Sequence, residues 1–317
     1  MELNLPISEQ LNKCRNILIA GMGGGFDVFC GLPIYFELEQ RGKNVHLANF
    51  SFTDEILFRG GKALTETLVG VTAEYKGMVP YFPELFLARW FKEKRNSETI
   101  IWSFLKTGAQ PLLDSYQVLV EHLSIDGILL VDGGVDSLVR GDEPAIGTVI
   151  EDATSLFAVN ELKQVPTKLL ACIGFGAERD MAYASILENI AFVTEKNGFL
   201  GSCALTPQMD VYKAYEDAVL HVQSNELQDP SVINSSIVSA VQGHYGNFHL
   251  TNKTRGSRLW ISPLMSLYWF FDLSIVAKQN LFLHQLKGTN TFRDAFQAYV
   301  QGAKHIKKRE PERFPLL

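Results

Sequence analysis

Asn16-Ile-Leu-Ile-Ala-Gly-Met-Gly-Gly-Gly25 is a short apolar run that ends in a glycine loop. Phe26 to Arg41 then reads as a helix, with Pro33 near its start and Gly42 closing it. Val45 to Phe50 is the next strand. Strand, glycine loop, helix and strand open a βαβ unit, and the rest of the chain is read outward from it.

Ser51 to Arg95 is punctuated by Gly60, Gly61, Gly70, Gly77, Pro80 and Pro83, which predicts an irregular excursion over the strand ends. Ile100–Leu105 reads as a strand and Pro111–Leu123 as a helix. Ile125–Val131 is a buried strand that runs into Asp132-Gly-Gly-Val-Asp-Ser137. A helix over Thr148–Val159 carries Glu151 and Asp152 in its first turn. The strand Lys168–Ile173 ends in Gly174-Phe-Gly176, and helices follow over Met181–Asn197, Met209–Gln223 and Ser231–Gln242. His244–Ser257 is a polar loop or hairpin, and Leu264–Gln279 an apolar core helix. The tail from Thr291 is a helix ending in the basic run Lys304–Arg309, a solvated helix end.

This alternation predicts an α/β, Rossmann-like fold: a mostly parallel sheet with helices on both faces and a helical C-terminal extension. The expected division is residues 1–205 for the α/β domain and 206–317 for the extension packed on it.

The 317 residues are 46% hydrophobic and 20% charged, which excludes disorder, a collagen repeat and a coiled coil. The net charge is −6, with 29 Lys+Arg against 35 Asp+Glu, so no nucleic-acid partner is expected. Four cysteines without a CxxC spacing read as buried thiols in a reducing cytoplasm. No basic cap precedes an apolar run at the start, so no targeting segment is expected. Leu259–Ala277 has membrane-like hydropathy, but Pro263 and Asp272 interrupt it. A charge inside a span costs about 2.5–3.5 kcal/mol, so a core helix is the better reading and no membrane partner is expected. Trp260, Tyr268, Trp269, Phe270 and Phe271 are accordingly assigned to the core.

Three glycine-bearing turns follow strands directly, where open α/β sheets place their ligands. In the first, Gly21, Gly23, Gly24 and Gly25 are expected to cradle phosphate on backbone N–H groups. Asp27 beside them is a helix cap or a ligand contact. Phe26 stands at the third glycine of the dinucleotide fingerprint, and Asn49 and Phe50 lie where the ribose-binding acid should end the second strand. NAD is therefore not expected, and no Gly-Lys-Ser/Thr marks a P-loop. The turn Gly174-Phe-Gly-Ala-Glu-Arg-Asp180 is the third, with backbone donors beside Glu178, Arg179 and Asp180.

The second turn is the most distinctive. Asp132-Gly-Gly-Val-Asp-Ser137 resembles the SGGxDS loop of ATP pyrophosphatases, with Asp132 in place of the leading serine. It also resembles the Asp-rich turn of nucleoside hydrolases, without that turn's doubled aspartate. Asp132, Asp136, Asp142, Glu143, Glu151 and Asp152 gather around this strand end. Such hard oxygen ligands suit Mg²⁺ or Ca²⁺, hold sugar hydroxyls, or act as acid and base. Asp132 and Asp136 are the expected metal ligands, with Mg²⁺ the cofactor considered, and Gly133, Gly134 and Ser137 the expected ligand contacts. Asp142 or Glu143 would serve as outer ligand or base. His244 and His249 have opposite parity on a strand, which argues against a shared zinc. His244 is a candidate base, and Arg255 or Arg258 a candidate phosphate clamp.

Gly23-Gly-Gly-Phe-Asp27, Asp132-Gly-Gly-Val-Asp-Ser-Leu138, Gly141-Asp-Glu143 and Glu151-Asp-Ala153 together resemble the prokaryotic domain-of-unknown-function family 1152. The resemblance runs over most of the chain and is most specific in the second block. It implies an α/β fold and a site at the two Gly/Asp loops, and no reaction.

The sequence thus leads to an enzyme acting on a nucleotide or phosphorylated small molecule, by hydrolysis or group transfer at a phosphoryl or glycosidic bond. The alternatives are a non-catalytic nucleotide or metabolite sensor and a structural partner protein. Assembly into a homo-oligomer is left open.

Overall fold

The computed structural model describes residues 5–53, 61–75, 81–145, 147, 149–178 and 181–310. Arg179, Asp180 and the tail beyond Glu310 lie outside the described residues. After a short α1 (Pro6–Asn12), β1 (Asn16–Gly21) leads through the glycine loop into α2 (Asp27–Cys30) and α3 (Leu32–Gln40). Pro33 sits in the first turn of α3, where a missing N–H leaves no bond unmade. Next come β2 (Asn44–Phe50), β3 (Lys62–Thr65), β4 (Leu68–Val71), α4 (Pro83–Arg95), β5 (Ile101–Phe104) and α5 (Ala109–Leu123). Then follow β6 (Gly127–Gly133), α6 (Ile150–Glu161), β7 (Thr167–Ile173), α7 (Tyr183–Glu195) and β8 (Phe199–Ala204). The chain closes with α8 (Asp210–Gln223), α9 (Val232–Val241), β9 (Leu267–Asp272), α10 (Leu273–Gln279) and α11 (Phe292–Ala303).

The nine strands form one sheet in the order β3-β4-β5-β2-β1-β6-β7-β9-β8. The five central strands, β5 to β7, are parallel. A β4–β3 hairpin runs antiparallel on one edge, and β9 lies antiparallel between β7 and β8 at the other. Alternate residues feed two cores. Leu18, Ala20, Ile128 and Leu130 point into one with α5, α6 and α10. Ile17, Ile19, Leu129 and Val131 point into the other with α2, α3, α4, α8 and α9. Helices therefore cover both faces, as expected for parallel strands without a solvent side.

The stretch expected to be one apolar helix differs. Leu264–Gln279 divides into a 3₁₀ turn (Pro263–Ser266), β9 and α10. Tyr268 and Phe270 enter one core, while Trp269 and Phe271 pack toward the other, so the strand is apolar on both sides. Such a run has no period-2 signature to separate it from a buried helix. Asp272 ends it by accepting the Ile275 N–H at 3.1 Å as the N-cap of α10. The C-terminal extension is mostly helical but returns this strand to the sheet. The β3–β4 hairpin and edge strand β8 fall where no strand was expected.

β1 continues to β2 on one side, while the chain later returns on the other side as β6. Their C-terminal ends frame the crevice where doubly wound sheets bind ligands.

Candidate functional site

Three carboxylates converge at this crevice. Asp27 opens α2, Asp132 is in β6, and Asp152 lies in the first turn of α6. One oxygen from each lies within 4.8 Å of the others. The N–H of Gly23 donates to Asp27 Oδ2 at 2.6 Å, so Asp27 ties back the loop before its own helix. Asp132 Oδ2 accepts the Ser137 N–H at 3.1 Å and the Ser137 hydroxyl. Asp152 arrives on α6, which is anchored to the glycine loop by Ser155 Oγ donating to the Met22 carbonyl at 2.8 Å. Asp152 is buried, and its Oδ1 has no hydrogen-bond partner.

Glycine is needed where these groups meet. A Cβ on Gly23 would stand 2.8–2.9 Å from carboxylate oxygens of Asp27 and Asp152. Gly24 has φ +100° and would meet the Phe52 ring at 2.4 Å. The amide of Asn49, at the end of β2, donates to the Gly25 carbonyl at 2.9 Å and to the buried Glu84 at 2.8 Å, which holds the loop from the other side.

Asp136 and Glu178 border the trio. Glu178 Oε2 accepts the Val135 N–H at 2.9 Å. Loss of water raises all five acids above the usual carboxylate range. It acts alone on Asp132, to about 6, and with the Asp132 charge on Glu178, to about 8. Asp27, Asp136 and Asp152 are pushed well up by burial first; the next cause is the Asp132 charge for Asp27 and Asp152, and the Asp152 charge for Asp136. No Lys, Arg or His among the described residues forms an ion pair with any of the five. Lys106 is taken up by Glu151, at 2.7 Å. Like charges this close cannot all ionise without a counter-ion. The cluster therefore holds protons or a cation, and carboxylate oxygens suit a hard divalent ion.

Of the other expected site residues, Asp142 and Glu143 stand apart from the trio. Glu143 is fully buried and accepts the N–H groups of Arg140 and Gly141, both at 2.8 Å, and the Asn189 amide at 2.6 Å. Asp142 faces Arg140 and Arg309, each at 3.7 Å. These two acids fasten a loop to α7 and to the chain end. Gly133 and Gly134 act by having no side chain, since a Cβ would stand 2.8 Å from Asp27 and 2.9 Å from Glu178. The Ser137 hydroxyl is engaged by Asp132. Gly21 is packed against Asn49 and Val28. The His244 ring stacks on Phe248, with centroids 3.5 Å apart. Arg255 is exposed.

A cleft of about 970 Å³ adjoins Glu178. The β7–α7 turn supplies Phe175 and Glu178, and the loop before β9 supplies Tyr245, Arg258 and Trp260. His244 and Arg255 do not line it; their neighbours Tyr245 and Arg258 do. Trp260, assigned to the core from sequence, is 62% exposed here. The apolar run containing it turns at Pro263, so Trp260 falls before the buried strand. Asp152 was visible as one of six acids around the strand end and Glu178 as a turn acid; which of them meets Asp132 is set by packing.

The DUF1152 family model, described as a protein of unknown function, matches residues 58–303. The chain belongs to the DUF1152 family. The matched part of this DUF1152 chain carries Asp132, Asp152, Glu178 and the cleft, while Asp27 precedes it. No curated protein and no solved structure matches the chain. Among the described residues, no helix is long and apolar enough to cross a membrane.

Proposed function

We propose that this DUF1152 protein is a divalent-cation-dependent enzyme acting on a phosphorylated small molecule, by hydrolysis or group transfer at a phosphoryl or glycosidic bond. The observation that carries this reading is the carboxylate trio, with Asp152 Oδ1 unpartnered and no Lys, Arg or His among the described residues paired with it. Asp27, Asp132 and Asp152 would hold the ion, and Mg²⁺ fits their all-oxygen donor set. This differs from the pair expected from sequence by giving Asp27 and Asp152 the place of Asp136.

The ion would supply the positive charge that a phosphate needs among five acids. The chain's own groups then have distinct tasks. Gly23 leaves room between Asp27 and Asp152, and Ser137 orients Asp132. Glu178 stands between the trio and the cleft, and burial together with the Asp132 charge makes it a weaker acid than an ordinary glutamate. That suits a group that gives or takes a proton at a bond presented from the cleft. The buried thiols of Cys14, Cys30 and Cys172, all free, favour a reducing cytoplasm.

The experiment is a thermal-shift screen of sugar phosphates and nucleotides with Mg²⁺ or with EDTA, followed by turnover of each hit. A ligand at 100 times its dissociation constant stabilises by about 2.7 kcal/mol. Hits that require Mg²⁺ and are consumed support the reading. Hits unaffected by EDTA, or bound and left unchanged, oppose it.

A further inference from the structure

The cleft beside Glu178 is of a size that holds small molecules, roughly 300–1,000 Å³. Its outer wall is built by a short antiparallel pairing. Gly246 and Ile261 exchange backbone hydrogen bonds of 2.8 and 2.9 Å. Gly246, with φ +73°, turns the chain at this pairing, and Tyr245 and Trp260 both line the cleft beside it. Both are strongly exposed, at 80% and 62%. The Arg258 guanidinium lies 4.1 Å from the Trp260 ring centroid, so the indole is braced on one face. Two open aromatic side chains on the rim of one cleft offer a stacking surface, and Arg258, Ser236 and Ser262 add polar groups along it.

We propose that this cleft binds the base of a nucleoside phosphate, stacked against Trp260 and Tyr245, with the phosphate end directed past Glu178 to the carboxylate trio. The inference rests on the proposed metal site for the phosphate end; the base site rests on the cleft itself. A planar heteroaromatic ring uses both the stacking surface and the polar groups, whereas an alkyl chain would use neither fully. Sugar phosphates without a base would leave the cleft unfilled.

The test is calorimetric titration of the full chain with Mn²⁺, with the four ribonucleoside 5′-monophosphates, with ribose 5-phosphate and with the four parent nucleosides. At least one monophosphate is expected to bind roughly 5- to 150-fold more tightly than ribose 5-phosphate, the range for stacking one base. Trp260→Ala should remove that advantage and keep Mn²⁺ binding. Tyr245→Ala, also at an exposed position, should reduce it. The proposal is overturned if no nucleoside monophosphate outbinds ribose 5-phosphate, or if both variants keep the advantage. It is also overturned if sedimentation shows Trp260 buried in a dimer that the Ala variant breaks while nucleotide affinity stays unchanged. Failure of the metal reading is seen separately, as absence of Mn²⁺ binding to the wild type. The parent nucleosides carry no phosphate, so the base site is still tested then through their loss of binding in Trp260→Ala.

Discussion

Asp152, in the first turn of α6, brings a carboxylate oxygen within 4.8 Å of one from Asp132 in β6. Neither acid has a basic partner among the described residues, and Asp152 Oδ1 accepts no hydrogen bond. Without a metal, these acids place electrostatic repulsion at the crevice, a common kind of place for stability to be given up for function.

Asp152→Asn should act with opposite signs on two measurements. Without metal it relieves repulsion and raises the melting temperature, by about 2–4 °C for each kcal/mol gained. With Mg²⁺ it removes a ligand, so the shift produced by the ion should shrink or vanish. Differential scanning calorimetry in EDTA and in Mg²⁺ reads both. A variant less stable in EDTA would show that Asp152 is held by interactions of a different kind.

The pH dependence of the metal-free protein follows from the raised pKa values. An acid whose pKa is higher in the folded state binds its proton more tightly there, so its stabilisation is present below the unfolded pKa. It is lost as pH rises through the folded value. For Glu178 that window runs from about 4.5 to about 8. The melting temperature in EDTA should fall across it. The stabilisation by Mg²⁺ should grow over the same range, because the ion competes with protons for the carboxylates. Melting curves in steps from pH 5 to pH 9 would contradict this by rising in EDTA.

Gly23→Ala would put a methyl group between the carboxylates of Asp27 and Asp152, 2.8–2.9 Å from their oxygens. The acids must move apart, so Mn²⁺ affinity should fall by about tenfold or more, an effect comparable to loss of an outer-sphere partner. Retained affinity in a well-folded variant would place the ion away from Gly23.

Glu143→Ala should damage the fold and spare the metal. It strands the N–H groups of Arg140 and Gly141 and frees Asn189 and Arg309. Leaving such buried donors unmet costs about 1–3 kcal/mol. Chemical denaturation should show that loss with Mn²⁺ affinity unchanged; a folded variant that loses the ion would return Glu143 to the site.

The parallel core and the two Gly/Asp loops were readable because local signals agree there. Apolar runs end in glycines at Gly21 and Gly133, and helices follow with apolar periodicity. Asp132 stood out because it ends a buried apolar run, and Asp27 because it opens the helix after the glycine loop, as a cap or a ligand contact. Asp152 was not singled out, because a first-turn acid looks the same whether it favours a helix dipole or faces a ligand. Its partner is chosen by the contact of Ser155 with Met22, a tertiary event. Glu143 looked like its neighbours in a polar loop, yet it is fully buried by α7 and the Arg309 segment. β9 was hidden because Tyr268 to Phe271 is apolar on both faces, and Trp260 because it adjoins that run.

The central claim is that Asp27, Asp132 and Asp152 together hold one divalent ion. Electron paramagnetic resonance titration of Mn²⁺ into the wild type and into Asp27→Asn, Asp132→Asn and Asp152→Asn tests it most directly. The expected result is one tightly bound ion in the wild type, weakened in each variant, with Mg²⁺ competing for the same site. Undiminished Mn²⁺ binding in folded variants at all three positions would contradict it.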